Sequence, residues 1–544
     1  MGTIFAAADS VIAWLGPGEN GSSGALALLH ELAQNIEIDW STDAVRLHRN
    51  PAPERASIFA RWNDERQKML SIEIDGHRQL FWSIEQCRSV HGIVTRSYFE
   101  RAWILQEVRL AKRVVIQCGF ATLPEERFWK AVVCLRAASR TDDSFMYVSA
   151  WRWSLQKSYL IAHFRSEQDF VTLLNLRRRT DDLICRDPRD SIYCVLSILD
   201  PGSRSLQIRP DYAQKTEEVY KDVVRRMFSI WVCLDSLDQC EFSNRTLPIP
   251  SWVPDWSTPL ACKNPLPLEG SACAKLAVQP RFDETGSRCT IHGISIGSIG
   301  RTSALATSPE YQRAADIVKL LRQLRPSEWT PDDLYLTGET LLEVYCRVLV
   351  GDYFLKAGHR RSISDTPSFE QSLRLLQLVW SNNTNEECLQ NAVSKSTRYL
   401  ESIKSITSKR GLFETPEGYL GFAPLETLPG DMLCILLGCS YPVILRPAAG
   451  NTWLVVGRCY AHGLTEGKAI YHNLSALKAR SESSIGDTYS MFDTRDKSPR
   501  YESDVMFKEA GLKIERVQGK PYRLVVLPET LTAAGVPLQE FVLV

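Results

Sequence analysis

Residues Ser97–Gly119, SYFERAWILQEVRLAKRVVIQCG, predict a helix that is followed directly by a buried strand. Apolar side chains recur through the first part at three- and four-residue spacings, which gives the predicted helix a wide apolar surface. A short β-branched run, Val114–Ile116, then leads to Gly119 and predicts the strand.

A second buried strand is predicted upstream at Ser10–Gly16, SVIAWLG. It enters the loop PGENGSSG, after which Ala25–Leu32 predicts a helix. The loop lacks the glycine spacing of both common phosphate-binding motifs, so it is predicted to be a strand-to-helix turn. Two short apolar strands, each beside a helix, favour an α/β layer with a parallel sheet.

Glu107 is unusual because it lies within the apolar surface of the first predicted helix. Its neighbours at helical spacing are apolar, and no Lys or Arg of this helix stands at the usual pairing distance. A buried carboxylate is costly without a partner. Glu107 is therefore either a structural ion-pair residue or a working group in a cleft. In the first case its charge is satisfied by Arg101, Arg109 or Arg113, or by Asp187–Asp190 through an arginine.

Composition limits the classes of protein that fit this chain. The 64 basic residues equal the 64 acidic ones, which gives no overall charge to attract nucleic acid or acidic membranes. No apolar run approaches the ~20 residues that span a bilayer, and the N-terminal region lacks the features of a signal peptide.

The 15 cysteines form no CxxC pair, and several lie in apolar surroundings: Cys134, Cys194, Cys346 and Cys434. They are interpreted as buried reduced thiols of an intracellular protein. No metal site is predicted, and Cys459 with His462-Gly463 is interpreted as part of a turn.

The chain divides into four predicted parts. Residues 1–135 form the α/β segment, and 136–265 are mainly helical. In this second part Asp187–Asp190 opens a helix that DPG at 200–202 closes, and another helix follows Asp211-Tyr212. The prolines of LPIPSWVPDWS, residues 247–257, exclude a regular helix, so its two tryptophans are expected to pin an extended segment onto the core.

Residues 266–410 are predicted to form a variable helical region, and 411–544 a β-rich C-terminal block. Within this block MLCILL, PVILR and TWLVVGRCY predict a small antiparallel sheet or barrel. Residues 478–503 are predicted to be a flexible loop, and YRLVVL and EFVLV to return as edge strands.

Several of these stretches, taken in order, resemble the fungal heterokaryon incompatibility (HET) domain family. The helix with Arg101, Trp103, Gln106 and Glu107 looks like the family's arginine-tryptophan-glutamine-glutamate helix, and Cys118-Gly119 like the end of the strand that follows it. The other matching motif residues, which the resemblance marks as structural, are Asp187, Asp190, Tyr193, Asp211, Tyr212, Trp252, Pro254, Asp255 and Trp256. A C-terminal block from Gly430-Asp431 to His462-Gly463 also matches.

The HET domain is distantly similar to Toll/interleukin-1 receptor (TIR) domains, which implies a parallel sheet for the first segment. Two strands with which family members usually begin have no counterpart here. The resemblance thus implies an N-terminally truncated member, in which Met1 is an internal methionine taken as the start or the truncation is real. The implied fold class is α/β, with an incomplete TIR-like parallel sheet, followed by an α-helical region and a small β-rich C-terminal block.

The resemblance implies a cytoplasmic protein without a cofactor that regulates or triggers programmed cell death in fungal non-self recognition. It would act through other proteins, including HET-type relatives and further copies of itself. An alternative is a TIR-like NAD hydrolase, because Trp103 and Glu107 stand four residues apart like the tryptophan and glutamate of the TIR catalytic helix. Glu107 would then stabilise an oxocarbenium-like transition state. A second alternative is an inactive truncated paralogue.

Overall fold

The structure is a computed structural model, and its described residues fall into two compact units, 1–204 and 205–544. The described residues are 2–19, 21–40, 44–47, 70–74, 78–138, 161, 172–243, 245–260, 271–303, 314–325, 330, 333–354, 367–381, 385–407, 409–474, 507, 512, 514–517 and 520–544. The predicted loop 478–503 lies outside them. The predicted four-part division stays a prediction.

The first unit combines helices with short strands. Its helices are α1 Gly2–Ala7, α2 Ser22–Gln34, α3 Ile84–Val94, α4 Ile104–Leu110, α5 Glu125–Ala138, α6 Leu173–Arg179, α7 Asp190–Tyr193 and α8 Pro201–Arg204, with 3-10 turns at Ser97–Glu100 and Leu196–Ile198. Its strands are β1 Val11–Trp14, β2 Ile36–Asp39, β3 Ala44–Leu47, β4 Leu70–Ile74, β5 Arg78–Trp82, β6 Val114–Cys118 and β7 Ala121–Pro124.

The two strands predicted from the sequence lie side by side. β1 pairs in parallel with β6, with Val11 opposite Val114, and β7 adds an antiparallel strand on the other side of β6. The loop between β1 and α2 is the predicted turn, with left-handed glycines at Gly16 and Gly21. The prediction of an α/β segment is confirmed. Its described sheet holds one parallel and one antiparallel pair, so the TIR-like parallel sheet stays a prediction.

Two predicted helices of this unit are interrupted. The helix predicted from Phe99 to Ala111 is instead a 3-10 turn followed by α4, with Arg101 between them in extended conformation. The backbone of Arg101 forms a parallel bridge with Ile184, and this pairing replaces helical hydrogen bonds there. The helix predicted to end at DPG also breaks early, because α7 covers only Asp190–Tyr193.

The DPG segment starts a helix rather than only closing one. Asp200 accepts a hydrogen bond from the backbone of Ser203 at 3.1 Å, and Pro201 takes the first position of α8. Proline is favoured there because its missing N–H has no helical partner to lose. The DPG segment was predicted to end a helix, and it also begins α8.

The second unit contains a helical layer and several sheets. Its helices are α9 Thr216–Trp231, α10 Ala314–Gln323, α11 Leu341–Val348, α12 Phe369–Trp380, α13 Glu386–Lys395, α14 Thr397–Thr407, α15 Lys468–Tyr471 and α16 Pro528–Ala533, with a 3-10 turn at Asp235–Gln239. Its strands are β8 Leu276–Ala277, β9 Arg281–Phe282, β10 Cys289–Ser298, β11 Arg301–Ser303, β12 Arg410–Glu414, β13 Leu420–Pro424, β14 Met432–Leu436, β15 Val443–Ala448, β16 Thr452–Arg458, β17 Tyr460–Ala461, β18 Ile514–Val517, β19 Lys520–Val526 and β20 Gln539–Leu543.

Five of these strands close into a barrel, in the order β14-β15-β16-β20-β10 and back to β14. β20 pairs in parallel with β16 and antiparallel with β10, and the other pairs of the ring are antiparallel. Leu433, Ile435 and Ile444 of these strands are fully buried and belong to one apolar cluster. The prediction of a small sheet or barrel from strand-period segments is confirmed.

The prediction that the last two strands lie at edges is wrong. β19, which carries YRLVVL, is the central strand of the sheet β18-β19-β8, and β20, which carries EFVLV, lies between β16 and β10. Ring closure gives both sides of β20 a partner, a non-local effect that its own sequence does not encode. No helix among the described residues is both long and apolar enough to cross a membrane.

Candidate functional site

The candidate site is built around the carboxylate of Glu107 on α4. Only 8% of this residue is exposed. Its Oε2 accepts a hydrogen bond from the Tyr98 hydroxyl at 2.9 Å, and its Oε1 lies 3.6 Å from Nη2 of Arg101. Both carboxylate oxygens therefore have partners within their own segment of the chain.

The break between the 3-10 turn and α4 is what makes this geometry possible. In a continuous helix, Arg101 and Glu107 would stand six positions apart and on different faces. With Arg101 extended (φ −81°, ψ 132°), the chain turns so that Arg101 and Tyr98 face Glu107. Glu107 thus meets one of the three arginines expected from the sequence.

The charge distribution around Tyr98 also fits a closed network. Burial raises the pKa of the Tyr98 hydroxyl, and the neighbouring Glu107 carboxylate raises it further. The Arg101 guanidinium lies 6.0 Å from the centre of the Tyr98 ring, with more than half of the Arg101 side chain exposed. Tyr98 therefore stays a protonated donor to Glu107, and Arg101 forms the solvent-facing side of the group.

The other motif residues of this segment contact a stretch about 85 positions further along the chain. Nε1 of Trp103 donates to Oδ2 of Asp190 at 3.1 Å, and Nε2 of Gln106 donates to the Cys194 carbonyl at 2.7 Å. The backbone N–H of Ile184 also donates to the Glu100 carbonyl at 2.6 Å. Trp103 and Gln106 of the first motif therefore hold the segment 184–194 in place.

The second motif is itself braced by local hydrogen bonds. Asp187 accepts from the backbone N–H of Arg189 at 3.0 Å and from its guanidinium at 2.9 and 2.7 Å. These hydrogen bonds from the Arg189 side chain are the main reason why the pKa of Asp187 is lowered. Tyr193 is buried at 3% exposure and contributes to the core. The structure brings together Arg101, Trp103, Gln106, Glu107, Asp187, Asp190 and Tyr193 in one region of the first unit.

The remaining predicted motif residues belong to the second unit. Trp252, Pro254 and Trp256 are buried in a segment without regular secondary structure. Nε1 of Trp256 donates to Gln239 at 2.7 Å, and the Asp255 carboxylate accepts from the backbone of Thr246 at 2.8 Å. Burial disfavours the ionised Asp255, but hydrogen bonds to its carboxylate outweigh it, so its pKa is lowered. These contacts are those of a pinned core segment.

Asp211 and Tyr212 lie on the surface of the second unit. The Asp211 carboxylate accepts from the backbone N–H of Ala213 at 2.9 Å, and half of Tyr212 is exposed. Downstream, the apolar stripe on α9 is buried as the spacing predicts, with Tyr220, Val224 and Phe228 fully covered. The motif therefore marks the turn that leads into this helix.

A buried polar cluster in the second unit was not predicted from the sequence. Nε2 of His462 lies 2.6 Å from Oε2 of Glu339, and its Nδ1 lies 3.0 Å from the Tyr460 hydroxyl. Glu339 also accepts from Thr337 at 2.8 Å and pairs with Nε of Arg347 at 3.1 Å. The only sequence signal was His462-Gly463, because Glu339 stands 123 positions away.

Among the described residues, no group of three or more His, Cys, Asp or Glu side chains has the arrangement of a metal site. His462 engages Glu339 and Tyr460 with its two ring nitrogens, which leaves neither nitrogen to ligate an ion together with Cys459. The contacts of His462 are therefore those of a hydrogen-bonded core histidine.

Residues 375–474 match the family model of the Het-6 beta-barrel domain, a range that holds strands β12–β17 and three strands of the closed ring. The ring is completed by β10 and β20, which lie on either side of the matched range.

A second comparison covers most of the chain. Heterokaryon incompatibility protein 6, OR allele, from Neurospora crassa is 22% identical over 545 aligned positions, covering 86% of this chain and 78% of that protein. No solved structure matches this chain. The chain is therefore similar to a heterokaryon incompatibility protein over most of its length, and it matches the Het-6 beta-barrel model over residues 375–474.

Proposed function

We propose that this protein regulates or executes programmed cell death in fungal non-self recognition by binding other proteins. The proposal rests on the sequence similarity to a heterokaryon incompatibility protein, which supports a HET-type function. In this scheme the first unit is the effector part. The helical layer and the barrel of the second unit restrain it or sense a partner in the cytoplasm.

The arrangement around Glu107 supports binding rather than catalysis. The Tyr98 hydroxyl and the Arg101 guanidinium engage its two carboxylate oxygens, as is usual for a structural ion-pair residue. Trp103 and Gln106 extend the same network to Asp190 and Cys194. The network would hold the two motifs in one rigid surface for a partner.

The apolar side chains exposed on the β1-β6-β7 sheet supply a second argument for protein binding. Ile12 is 59% exposed and Trp14 is 49% exposed on the same side of β1, and Phe120 in the β6–β7 turn is fully exposed. Exposed apolar side chains that cluster on one sheet are typical of interaction sites. The expected occupants are HET-type relatives or a second copy of this chain.

The interaction is tested with a variant of this surface and a matched control. Trp14→Ser removes an exposed apolar side chain of the sheet, whereas Leu527→Ser removes one of similar exposure, 59%, in the other unit. Purified proteins are compared by light scattering, and for binding to the Neurospora crassa relative. We expect Trp14→Ser alone to abolish self-association or binding. Equal behaviour of the two variants would contradict the proposed surface.

The alternative function is NAD hydrolysis with Glu107 as the catalytic group. It is favoured by the position of Glu107 near the surface, with 11% of its side chain exposed beside the half-exposed Arg101. The parallel pairing of β1 and β6 supports a TIR-like sheet as the setting for this chemistry. Glu107 would hold the ribose hydroxyls of NAD as substrate and stabilise charge at the anomeric carbon.

Glu107→Gln separates the two functions, because a glutamine retains an acceptor for Tyr98 but carries no charge. Growth arrest on expression in a filamentous fungus and NAD loss with purified protein are measured for the parent and the variant. Binding predicts growth arrest in both without NAD loss, whereas hydrolysis predicts NAD loss and arrest in the parent alone. Folded parent protein that shows neither effect would identify an inactive paralogue.

A further inference from the structure

The seam between β16 and β20 differs from the other strand pairings of the barrel ring. The two strands run parallel and pair at two positions, Thr452 with Val542 and Trp453 with Leu543. On its other side, β20 pairs with β10 at five positions in antiparallel orientation. A parallel pair is slightly less stable per residue than an antiparallel one. The ladder that closes the ring is therefore short, and β20 is held mainly by β10.

Ser251 forms hydrogen bonds on both sides of this seam. Its backbone N–H donates to the oxygen of Val544, which directly follows β20, at 2.8 Å, and its hydroxyl donates to the same oxygen. The backbone N–H of Val455 on β16 donates to Oγ of Ser251 at 3.0 Å. Ser251 is 4% exposed, so these hydrogen bonds lie away from bulk water. One residue thus bridges the two strands where their own ladder ends.

Ser251 belongs to the irregular segment 245–257, which we call the clip. The guanidinium of Arg245 donates to the carbonyls of Ser251 and Val253, both at 2.7 Å, and to the carbonyl of Pro250 at 3.1 Å. Hydrogen bonds from a charged donor are stronger than those between neutral groups. Arg245 therefore fixes the backbone around Ser251 and positions this residue at the seam.

The clip is also anchored away from the seam. Nε1 of Trp252 donates to the Ser287 carbonyl at 3.2 Å, in the turn between β9 and β10. The Trp252 ring lies between Phe228 of α9 and Phe282 of β9, with ring centres 5.7 Å apart in both pairs. These attachments do not depend on β16 or β20. The clip can therefore stay in place while the seam changes.

We propose that the barrel ring opens at the β16–β20 seam and that Ser251 holds this seam closed. Loss of the bonds to Ser251 and of the short ladder releases β20 from β16, while the five-position pairing with β10 retains it. Opening gives each of the two strands an unpaired backbone edge. It also uncovers Val455 and Leu543, which are fully buried in the closed ring. The barrel thus has a closed and a locally open state, and the clip sets the balance between them.

Hydrogen exchange of the purified full chain, measured by mass spectrometry, tests the proposal. Ser251→Ala removes the two hydrogen bonds of the hydroxyl and leaves the backbone N–H of residue 251 in place. Exchange should become about three- to tenfold faster in peptides of β16 and β20, because hydrogen bonds that close the seam are lost. Peptides of β14 should keep the parent rate. An equal increase in all five ring strands, or no increase at the seam, would overturn the proposal.

Two further variants separate the seam from the rest of the clip. Ser257→Ala is the matched control, because the Ser257 hydroxyl bonds to Asp255 and Thr246 within the clip, and it should leave the seam at the parent rate. Arg245→Ala should accelerate exchange in the same β16 and β20 peptides as Ser251→Ala, although its described bonds end on clip carbonyls.

The parent protein decides the question if the variants do not fold. The amide of Val455, which bonds to Ser251, should then exchange faster than the ladder amides of β14 and β15 under native conditions. Equal protection of these amides would show that the ring opens only as a whole, and the proposal would fail.

Discussion

The Glu107 network of the first unit and the Glu339–His462 network of the second unit use similar groups in different ways. Each places a glutamate near a buried tyrosine and an arginine. Glu339 has three partners within 3.1 Å: His462, Thr337 and Arg347. Glu107 has one close donor, Tyr98, and an arginine at 3.6 Å. The Glu339 carboxylate therefore has more close partners than the Glu107 carboxylate.

Both glutamates are structural, but Glu107 is the less fully bonded of the two. A carboxylate can accept about four hydrogen bonds, so Glu107 has room for a further donor from a ligand or partner. The two ring nitrogens of His462 contact Oε2 of Glu339 and the Tyr460 hydroxyl. We therefore expect changes at His462 to affect stability most, and changes at Glu107 to affect stability less and function more.

The largest effect is expected for His462→Ala. It removes a ring that is 7% exposed, and the Tyr460 hydroxyl and the Glu339 carboxylate each lose a hydrogen-bond partner. The free energy of unfolding should fall by about 2–4 kcal/mol, from the cavity and the lost hydrogen bonds together. Denaturant unfolding measures the change, and the exposed His472 provides the control His472→Ala. Similar losses in both variants would contradict the role of the network.

Glu107→Ala should cost less, about 1–3 kcal/mol. The Tyr98 hydroxyl loses its acceptor in a buried site, but Arg101 is half-exposed and can be solvated instead. Hydrogen exchange in peptides of residues 97–118 should accelerate. Glu126→Ala, at a side chain that is 74% exposed, is the matched control and should change stability by less than about 0.5 kcal/mol. A Glu107 loss larger than that of His462→Ala would reverse the comparison.

Trp103→Phe tests whether Trp103 joins the two motifs. It retains most of the aromatic ring and removes the hydrogen bond to Asp190. The expected loss is about 0.5–1.5 kcal/mol. Hydrogen exchange should rise in both motifs, 97–118 and 187–194, because they are joined through this bond. Trp14→Phe, at a half-exposed tryptophan, is the control and should leave both motifs unchanged. An effect confined to one motif would show that Trp103 does not join them.

The smallest effect is a pH dependence at Glu339. Burial disfavours its charge, but hydrogen bonds from His462 and Thr337 and the charge of Arg347 outweigh burial and lower its pKa. A lowered pKa stabilises the fold above the unfolded value of 4.5, and this contribution is lost as pH falls through the folded value. It should be below about 1 kcal/mol, because a third of the side chain is exposed.

The stability difference between the parent protein and Glu339→Gln measures this contribution. It should be constant near neutral pH and shrink as the pH falls below 4.5. A difference that grows on acidification would mean that the carboxylate is held protonated instead. The same titration with Glu107→Gln shows whether the two networks respond differently.

The sequence was sufficient for features that are encoded locally. The apolar runs at Ser10–Gly16 and Val114–Ile116 predicted two strands that pair in parallel, and the prolines around Trp252 and Trp256 predicted a buried irregular segment. The β-period after residue 411 predicted the barrel region. In each case the signal lies within the residues that form the element.

Features that depend on distant residues were predicted poorly. The break at Arg101 arises from pairing with Ile184, and without it the partner of Glu107 could only be narrowed to three arginines. The Glu339–His462 pair has no periodic signal, because its members come from separate segments. EFVLV resembles an edge strand until β10 and β16 are placed on either side of it.

The closed barrel has a consequence for protein synthesis. Gly293 on β10 pairs with Gln539 on β20, so the ring cannot close until about 250 further residues have been translated. At typical elongation rates of about 5–20 residues per second, β10 waits roughly 12–50 seconds on the ribosome for β20. β16 is made late in this interval, and it still precedes β20 by about 80 residues. The nascent chain therefore offers open strand edges to chaperones, or to neighbouring chains of the same polysome, before it offers a folded barrel.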